Sequence, residues 1–215
     1  MQIEISTSSW QEHELLDSGS RRKLERFGTH VLIRSEPKAW WKPSLPESEW
    51  KKADASYDDS GRWMIGGRNS SREWLLKYGK LTFQSRLTDM SKYVAIFPQQ
   101  SPHWDWMIRK ITESGRKDIK VLNLFGYTGA ATLAAASCGV GVTHVDASKP
   151  SVSWARKNQE LSKLESAPVR WIIDDAVKFV RREIRRNSRY DAVVMDPPSF
   201  GRGPEGEIWK AEESI

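Results

Sequence analysis

A single cysteine in 215 residues, Cys138, excludes an internal disulfide and any zinc site built on cysteines. No apolar run is long enough for a signal h-region or a membrane span, and no internal repeat or low-complexity tract occurs. These absences point to a cytoplasmic protein without a structural metal. Acidic residues are the scarcer charge, 28 Asp and Glu against 34 Lys and Arg, for a net charge of +6 and a pI near 9.4. That excess suits a polyanionic partner without requiring one. A hydrophobic share of 38% with 11 tryptophans excludes a disordered chain. The length allows one large domain, or one domain with a small appendage, around a real core.

Also lacking is the Gly-x-Gly-x-x-Gly spacing with which a dinucleotide fold brings its backbone to a pyrophosphate. What stands in its place is the stretch from Val121 to Ser148, VLNLFGYTGAATLAAASCGVGVTHVDAS. The apolar run Val121, Leu122, Leu124, Phe125 predicts a strand. A turn with Gly126 follows, then a small-residue helix over Gly129 to Ala136. A second strand, Val142 to Val145, ends at Asp146, about 20 residues beyond Gly126, where a βαβ nucleotide fold places an acid on a ribose. Tyr127 and Thr128 separate Gly126 from Gly129 and break the dinucleotide pattern. A ligand with an adenosine and no phosphates needs that pattern less.

Downstream, Ser148 is placed to cap a helix with Pro150 in its first turn. A third strand over Val169 to Ile173 ends at Asp174 and Asp175. The segment Ala176 to Arg186 predicts a helix with Val177, Val180 and Ile184 on its apolar side and Arg181, Arg182, Arg185 and Arg186 toward water. A fourth strand, Asp191 to Met195, delivers Asp196-Pro197-Pro198-Ser199-Phe200. Two successive prolines fix φ twice and hold that loop stiffly.

The wording Asn123-Leu124-Phe125-Gly126-Tyr127-Thr128-Gly129, followed by Val145-Asp146-Ala147-Ser148, resembles motifs I and II of class I S-adenosylmethionine (SAM)-dependent methyltransferases. Within them it is similar to 23S ribosomal RNA methyltransferases of the RlmI and RlmK type. The resemblance covers about Phe97 to Lys210 and includes Arg156-Lys157-Asn158-Gln159-Glu160-Leu161. It departs from the generic form at Asn123, Phe125 and Tyr127, where an acid and two glycines are usual.

The resemblance implies an α/β fold: a Rossmann-like class I sheet, present as strands 1 to 4 in the order 3-2-1-4, after a small β-rich region. It implies SAM as cofactor, held by Asn123, Phe125, Gly126, Thr128, Gly129, Asp146, Ala147, Ser148, Asp175, Ala176 and Gln100. Asp146 would take the ribose hydroxyls and Asp175 the adenine amino group. Asp196, Pro197, Pro198 and Phe200 would form the methyl-transfer point. The implied substrate is a base of RNA, and of ribosomal RNA by the subfamily wording. A class I sheet has seven strands, so the resemblance further implies a chain truncated at its C-terminus and inactive by itself. A protein or small-molecule acceptor stays open, as does a non-catalytic RNA- or nucleotide-binding fragment.

The resulting domain boundaries are 1–101 for the β-rich region and 102–215 for the methyltransferase domain. Strand-like runs in the first region are Thr29 to Ile33, Ala53 to Tyr57, Leu81 to Phe83 and Val94 to Phe97, with a turn at Asp58-Asp59-Ser60-Gly61. Its tryptophans, Trp40, Trp41, Trp50, Trp63 and Trp74, suit either a small core or a surface for stacking unpaired bases. A helix with Trp104, Met107, Ile108 and Ile111 on one face leads into the catalytic sheet. Cys138 lies too far from the methyl-transfer point to serve as the thiolate that methylation of cytosine C5 would need.

Overall fold

Alternating side chains build the first part of the chain. In the computed structural model, residues 10–214 are described except 59 and 90; residues 1–9, Asp59 in the anticipated turn, Met90 and Ile215 lie outside the described residues. The chain divides into two compact units at Pro98/Gln99.

The first unit holds a five-stranded sheet in the order β1 (His13–Gly19), β2 (Arg22–Phe27), β3 (His30–Ser35), β4 (Ala55–Tyr57), β5 (Trp63–Ile65). A separate hairpin pairs β6 (Glu73–Tyr78) with β7 (Leu81–Arg86), and a single helical turn, α1 (Glu47–Trp50), precedes β4. Alternate residues of β3, β6 and β7 are buried, as a half-covered pleated surface requires. Leu24, Phe27, Leu32, Leu76 and Phe83 fill the interior with Trp50, Trp63 and Trp74. The tryptophans thus split: these three are core, whereas Trp40 and Trp41 lie at the surface.

The expected strand over Val94 to Phe97 does not form. Val94, Ala95 and Ile96 are buried, but Ala95 has φ +82°, which breaks an extended run. Apolarity there reports burial of a loop. The chain carries a local basic run, Arg21, Arg22, Lys23 and Arg26, in which Arg22 pairs with Glu47, Lys23 with Glu25 and Glu36, and Arg26 with Glu14.

The second unit opens with α2 (Ser101–Glu113), which buries Trp104, Met107 and Ile111. Four parallel strands follow: β8 (Lys120–Leu124), β9 (Gly141–Asp146), β10 (Val169–Ile173) and β11 (Ala192–Met195). They lie in the order β10-β9-β8-β11. Between them run α3 (Ala130–Ala136), α4 (Lys149–Leu161) and α5 (Ala176–Arg185), so the expected α/β fold with a parallel sheet is present. A hairpin of β12 (Phe200–Arg202) and β13 (Ile208–Lys210) and a turn of helix, α6 (Ala211–Ser214), complete the unit.

Helix α3 is all small residues except Leu133, and Thr132 to Ala136 are buried, which lets it lie close on the sheet. Helix α5 differs from expectation. Its buried residues are Ala176, Phe179 and Glu183, while Ile184 is 71% exposed. The helical phase is set by Phe179, packed with Leu122, Leu124, Val145 and Ala176, and by Glu183, whose carboxylate accepts a 2.7 Å bond from Tyr190 Oη.

Candidate active site

The C-terminal ends of four adjacent parallel strands bring the anticipated residues to one sheet edge. In such sheets the crevice lies where neighbouring strands send their connections in opposite directions, here between β8 and β11. The loop after β8 carries Phe125 to Gly129, β9 ends on Asp146, Asp174 and Asp175 follow β10, and Asp196-Pro197-Pro198 follow β11.

The loop after β8 holds unusual backbone. Phe125 and Tyr127 have φ +55° and +50°, the left-handed region that costs a side-chain-bearing residue roughly 1–2 kcal/mol. The two positions where glycine is usual therefore keep glycine's conformation while carrying aromatic rings. Gly126 between them is needed for space. A Cβ there would fall 2.4 Å from the Cε1 of His144, which is fully buried. Gly129, at φ +86°, starts α3, and a Cβ on it would lie 2.9 Å from Ala155. Gly126 N–H donates to Val145 O at 3.1 Å and ties the loop to β9.

Asp146 closes this arrangement. One carboxylate oxygen accepts from Tyr127 N–H at 2.8 Å and the other from Ser148 N–H at 2.8 Å. Burial raises its pKa, and those two N–H groups offset the rise only in part. A carboxylate has about four lone-pair sites, so capacity remains for two hydroxyl donors. Ala147 is half-buried beside it, and the Ser148 hydroxyl accepts from Ser151 N–H at 3.3 Å, capping α4 as expected.

Asp175 caps α5, accepting from Lys178 N–H at 2.8 Å. Its neighbour Asp174 is held by Arg182 and by Asp175 N–H. Asp174 is thereby committed to an ion pair, whereas Asp175 keeps an oxygen beyond its cap bond. Ala176 lies beneath, in the core with Phe179.

Asn123 does not face the crevice. It is buried, and its amide donates to Thr132 Oγ1 at 2.8 Å, which in turn meets His144 Nδ1 at 2.8 Å. Thr128 is also buried, its carbonyl accepting from Asn158 Nδ2 at 2.9 Å. Both hold the loop from behind.

At the far side of the crevice, Gln100 Nε2 donates to Asp196 Oδ2 at 2.8 Å, and Gln100 Oε1 lies 2.9 Å from His103 Nδ1. A residue 96 positions earlier in the chain thus orients the carboxylate. Pro198 O accepts from Trp209 Nε1 at 2.7 Å, and the Trp209 ring packs on Phe125 at 4.7 Å. Lys178 ties the same hairpin to α5 through Glu205 and Glu207. Phe200 is 53% exposed, an open ring next to the proline loop. Cys138 sits at the end of α3, its Sγ toward the carbonyls of Ile108 and Ala134. Among the described residues no group of three or more His, Cys, Asp or Glu could hold a metal ion.

His144, Thr132, Asn158 and Trp209 are the supports that reading the sequence missed. Only Asn158 carried a signal, since it stands within the family-like wording of α4.

The family described as "Conserved hypothetical protein 95" matches residues 105–203. A ribosomal RNA large subunit methyltransferase I from Enterobacter sp. (strain 638) is 37% identical over 93 residues, 43% of this chain and 24% of that protein. Its counterpart from Escherichia coli O139:H28 is 39% identical over 82 residues, 38% of this chain and 21% of that protein. The crystal structure of a SAM-dependent methyltransferase from Agrobacterium tumefaciens superposes with a TM-score of 0.88 at 45% identity, covering 93% of this chain and 64% of that one. The chain thus spans about a quarter of the length of the curated relatives it matches. No helix among the described residues is long and apolar enough to cross a membrane. In sequence over about two fifths of its length, and in fold over 93% of it, the chain resembles class I SAM-dependent methyltransferases of the type of ribosomal RNA large subunit methyltransferase I.

Proposed function

We propose that the protein transfers a methyl group from SAM to a base of RNA, ribosomal RNA being the preferred substrate, in the cytoplasm. The observation that carries this reading is the convergence of Asp146, the Phe125–Gly129 loop, Asp175 and Asp196-Pro197-Pro198 on one edge of the β10-β9-β8-β11 sheet. We read these strands as the first four of a class I sheet, in the order 3-2-1-4. The bound cofactor supplies an electrophilic methyl group on a sulfonium.

The chain supplies position and charge. Asp146 accepts both ribose hydroxyls, Asp175 accepts the adenine amino group, and the left-handed loop brings the backbone of Gly126 and Gly129 near the methionine end. Asp196, oriented by Gln100, and the carbonyls of the stiff proline loop orient the acceptor base, against which Phe200 stacks. The RNA substrate is supported by the relatives' names and by the +6 charge.

Calorimetry with SAM tests the cofactor. Asp146→Ala is expected to weaken binding by about 1.5–3 kcal/mol, the worth of hydrogen bonds to a charged acceptor. Because its carboxyl titrates above the usual Asp range, affinity for SAM falls with decreasing pH from a higher midpoint than an exposed carboxylate gives. Tight NAD binding with no heat from SAM would overturn the reading. In labelled-SAM assays, Asp196→Ala is expected to lower turnover by about tenfold or more while leaving SAM affinity within twofold, as for loss of a group that acts in the transition state. Label found only on protein or small molecules would refute the RNA substrate and leave the cofactor assignment standing.

A further inference from the structure

The loop between β3 and α1 holds two exposed indoles on a rigid base. Trp40 is 81% exposed and Trp41 47%, with ring centroids 6.2 Å apart at 67°. Ala39, the residue before this pair, is fully buried. Ser20 N–H donates to Trp41 O at 2.7 Å, Arg21 N–H to Ala39 O at 2.6 Å, and Trp41 Nε1 to Ser18 O at 2.9 Å. Just beyond, the buried carboxylate of Asp17 accepts from Ser18, Ser44 and Leu45 N–H and from Trp50 Nε1. Burial raises the Asp17 pKa, but these four donors outweigh it and hold the group below the usual range, so the clamp is charged at neutral pH. Pro37 and Pro43 bracket the segment and fix φ at both ends.

A segment so pinned does not expose a large ring through slackness. Turning an indole outward forgoes burial that Trp50, Trp63 and Trp74 obtain in the same unit. Three cations neighbour the rings along the chain: Lys38 and Lys42 on the loop, and Arg21 in the turn whose backbone is hydrogen-bonded to it. Among the described residues none of the three has an ion-pair partner, whereas the neighbouring Arg22 and Lys23 are matched with Glu47 and Glu36. Uncompensated positive charge around an open aromatic face is the chemistry that single-stranded nucleic acid binds, bases on the ring and phosphates on the cations.

We infer that the Trp40–Trp41 loop is a docking surface for unpaired bases of single-stranded RNA, with Arg21, Lys38 and Lys42 contacting the phosphates. The inference deepens the methyltransferase reading and rests on it for the choice of polymer.

Fluorescence anisotropy with a labelled oligouridine tests it on the whole chain. Trp40→Ala is expected to weaken binding about tenfold, the scale of one lost stack, and Trp40→Phe to restore most of it. The pair Lys38→Ala with Lys42→Ala should flatten the salt dependence, by about 0.7 in log–log slope for each phosphate no longer neutralised. SAM affinity should stay unchanged in every variant. Oligouridine binding that ignores Trp40, or no binding by the wild type, would overturn the inference. So would Trp40→Ala abolishing self-association in sedimentation without touching RNA affinity, which assigns the rings to an interface between copies. SAM binding with Trp40-independent RNA affinity removes this surface alone. Trp40-dependent RNA binding without methyl transfer removes the catalytic reading alone.

Discussion

Unfolding measured at pH 4.5 is expected to require about 3 kcal/mol less free energy than at pH 7 on account of one side chain, His144. It is fully buried in the second unit, and burial lowers its pKa to about 3 from 6.5. Nδ1 meets Thr132, and Nε2 has no hydrogen-bond partner among the described residues. The folded state thus keeps the ring neutral, while the unfolded chain takes up a proton below pH 6.5. In the window between 6.5 and 3 the unfolded state binds more protons, so stability rises with pH and is lost as pH falls, at about 1.4 kcal/mol per unit.

Other groups shape the same curve. Burial also lowers the pKa of His30, in the first unit, and adds in the same sense. Glu25 is pushed up by burial, but His13, Arg34 and Lys23 bring it down to about 2, so its contribution is lost from pH 4.5 downward. Asp146, raised by burial, acts in the opposite sense. His144→Asn keeps a polar atom facing Thr132 and cannot titrate. The wild type should therefore lose stability relative to His144→Asn as pH falls from 7.5 to 5, so that the difference between their urea midpoints changes progressively toward acid pH. Parallel curves would show that the ring is not held neutral.

Gly126→Ala is expected to destabilise the second unit by about 3 kcal/mol, the upper part of the range for an added methyl in a filled site. SAM binding should be lost with it. The new Cβ would meet the His144 ring at 2.4–3.0 Å on three of its atoms, and that ring cannot retreat. Thr132 holds one side, Trp171 packs at 4.7 Å, and Gly126 N–H is bound to Val145. Moving the loop instead would pull Tyr127 N–H from Asp146 and Phe125 from Trp209. A double-mutant cycle with His144→Ala separates the two contributions. Removing the ring should recover most of the loss caused by Gly126→Ala, whereas simple additivity would place the clash elsewhere.

Local periodicity and end signals made the second unit legible from sequence. The apolar runs of β8 to β11, the small residues of α3, the Ser148 cap and the acids that end β9 and β10 each act over a few residues, so the sequence alone determines the parallel α/β unit and which acids reach its edge. The first unit was less legible. Strands β1, β2 and β6 carry charged and apolar residues in mixed order, and the turn between β1 and β2 places Ser20 and Arg21 at φ +49° and +60° without a glycine at either position. Val94 to Ile96 misled because apolar residues bury equally well in a bent loop.

Three things were decided by tertiary structure alone. Asn123 turned inward to Thr132 and His144, Gln100 reached Asp196 from 96 residues away, and Trp209 came back onto Phe125 and Pro198. So too was the division of five tryptophans between a core and a surface. Each depends on groups that become neighbours only after the chain has closed on itself. A residue's own type and its near neighbours set which local conformations and faces it can adopt, but the free energy of a buried hydrogen bond or a ring contact belongs to a pair, and the second member of that pair is chosen by the fold.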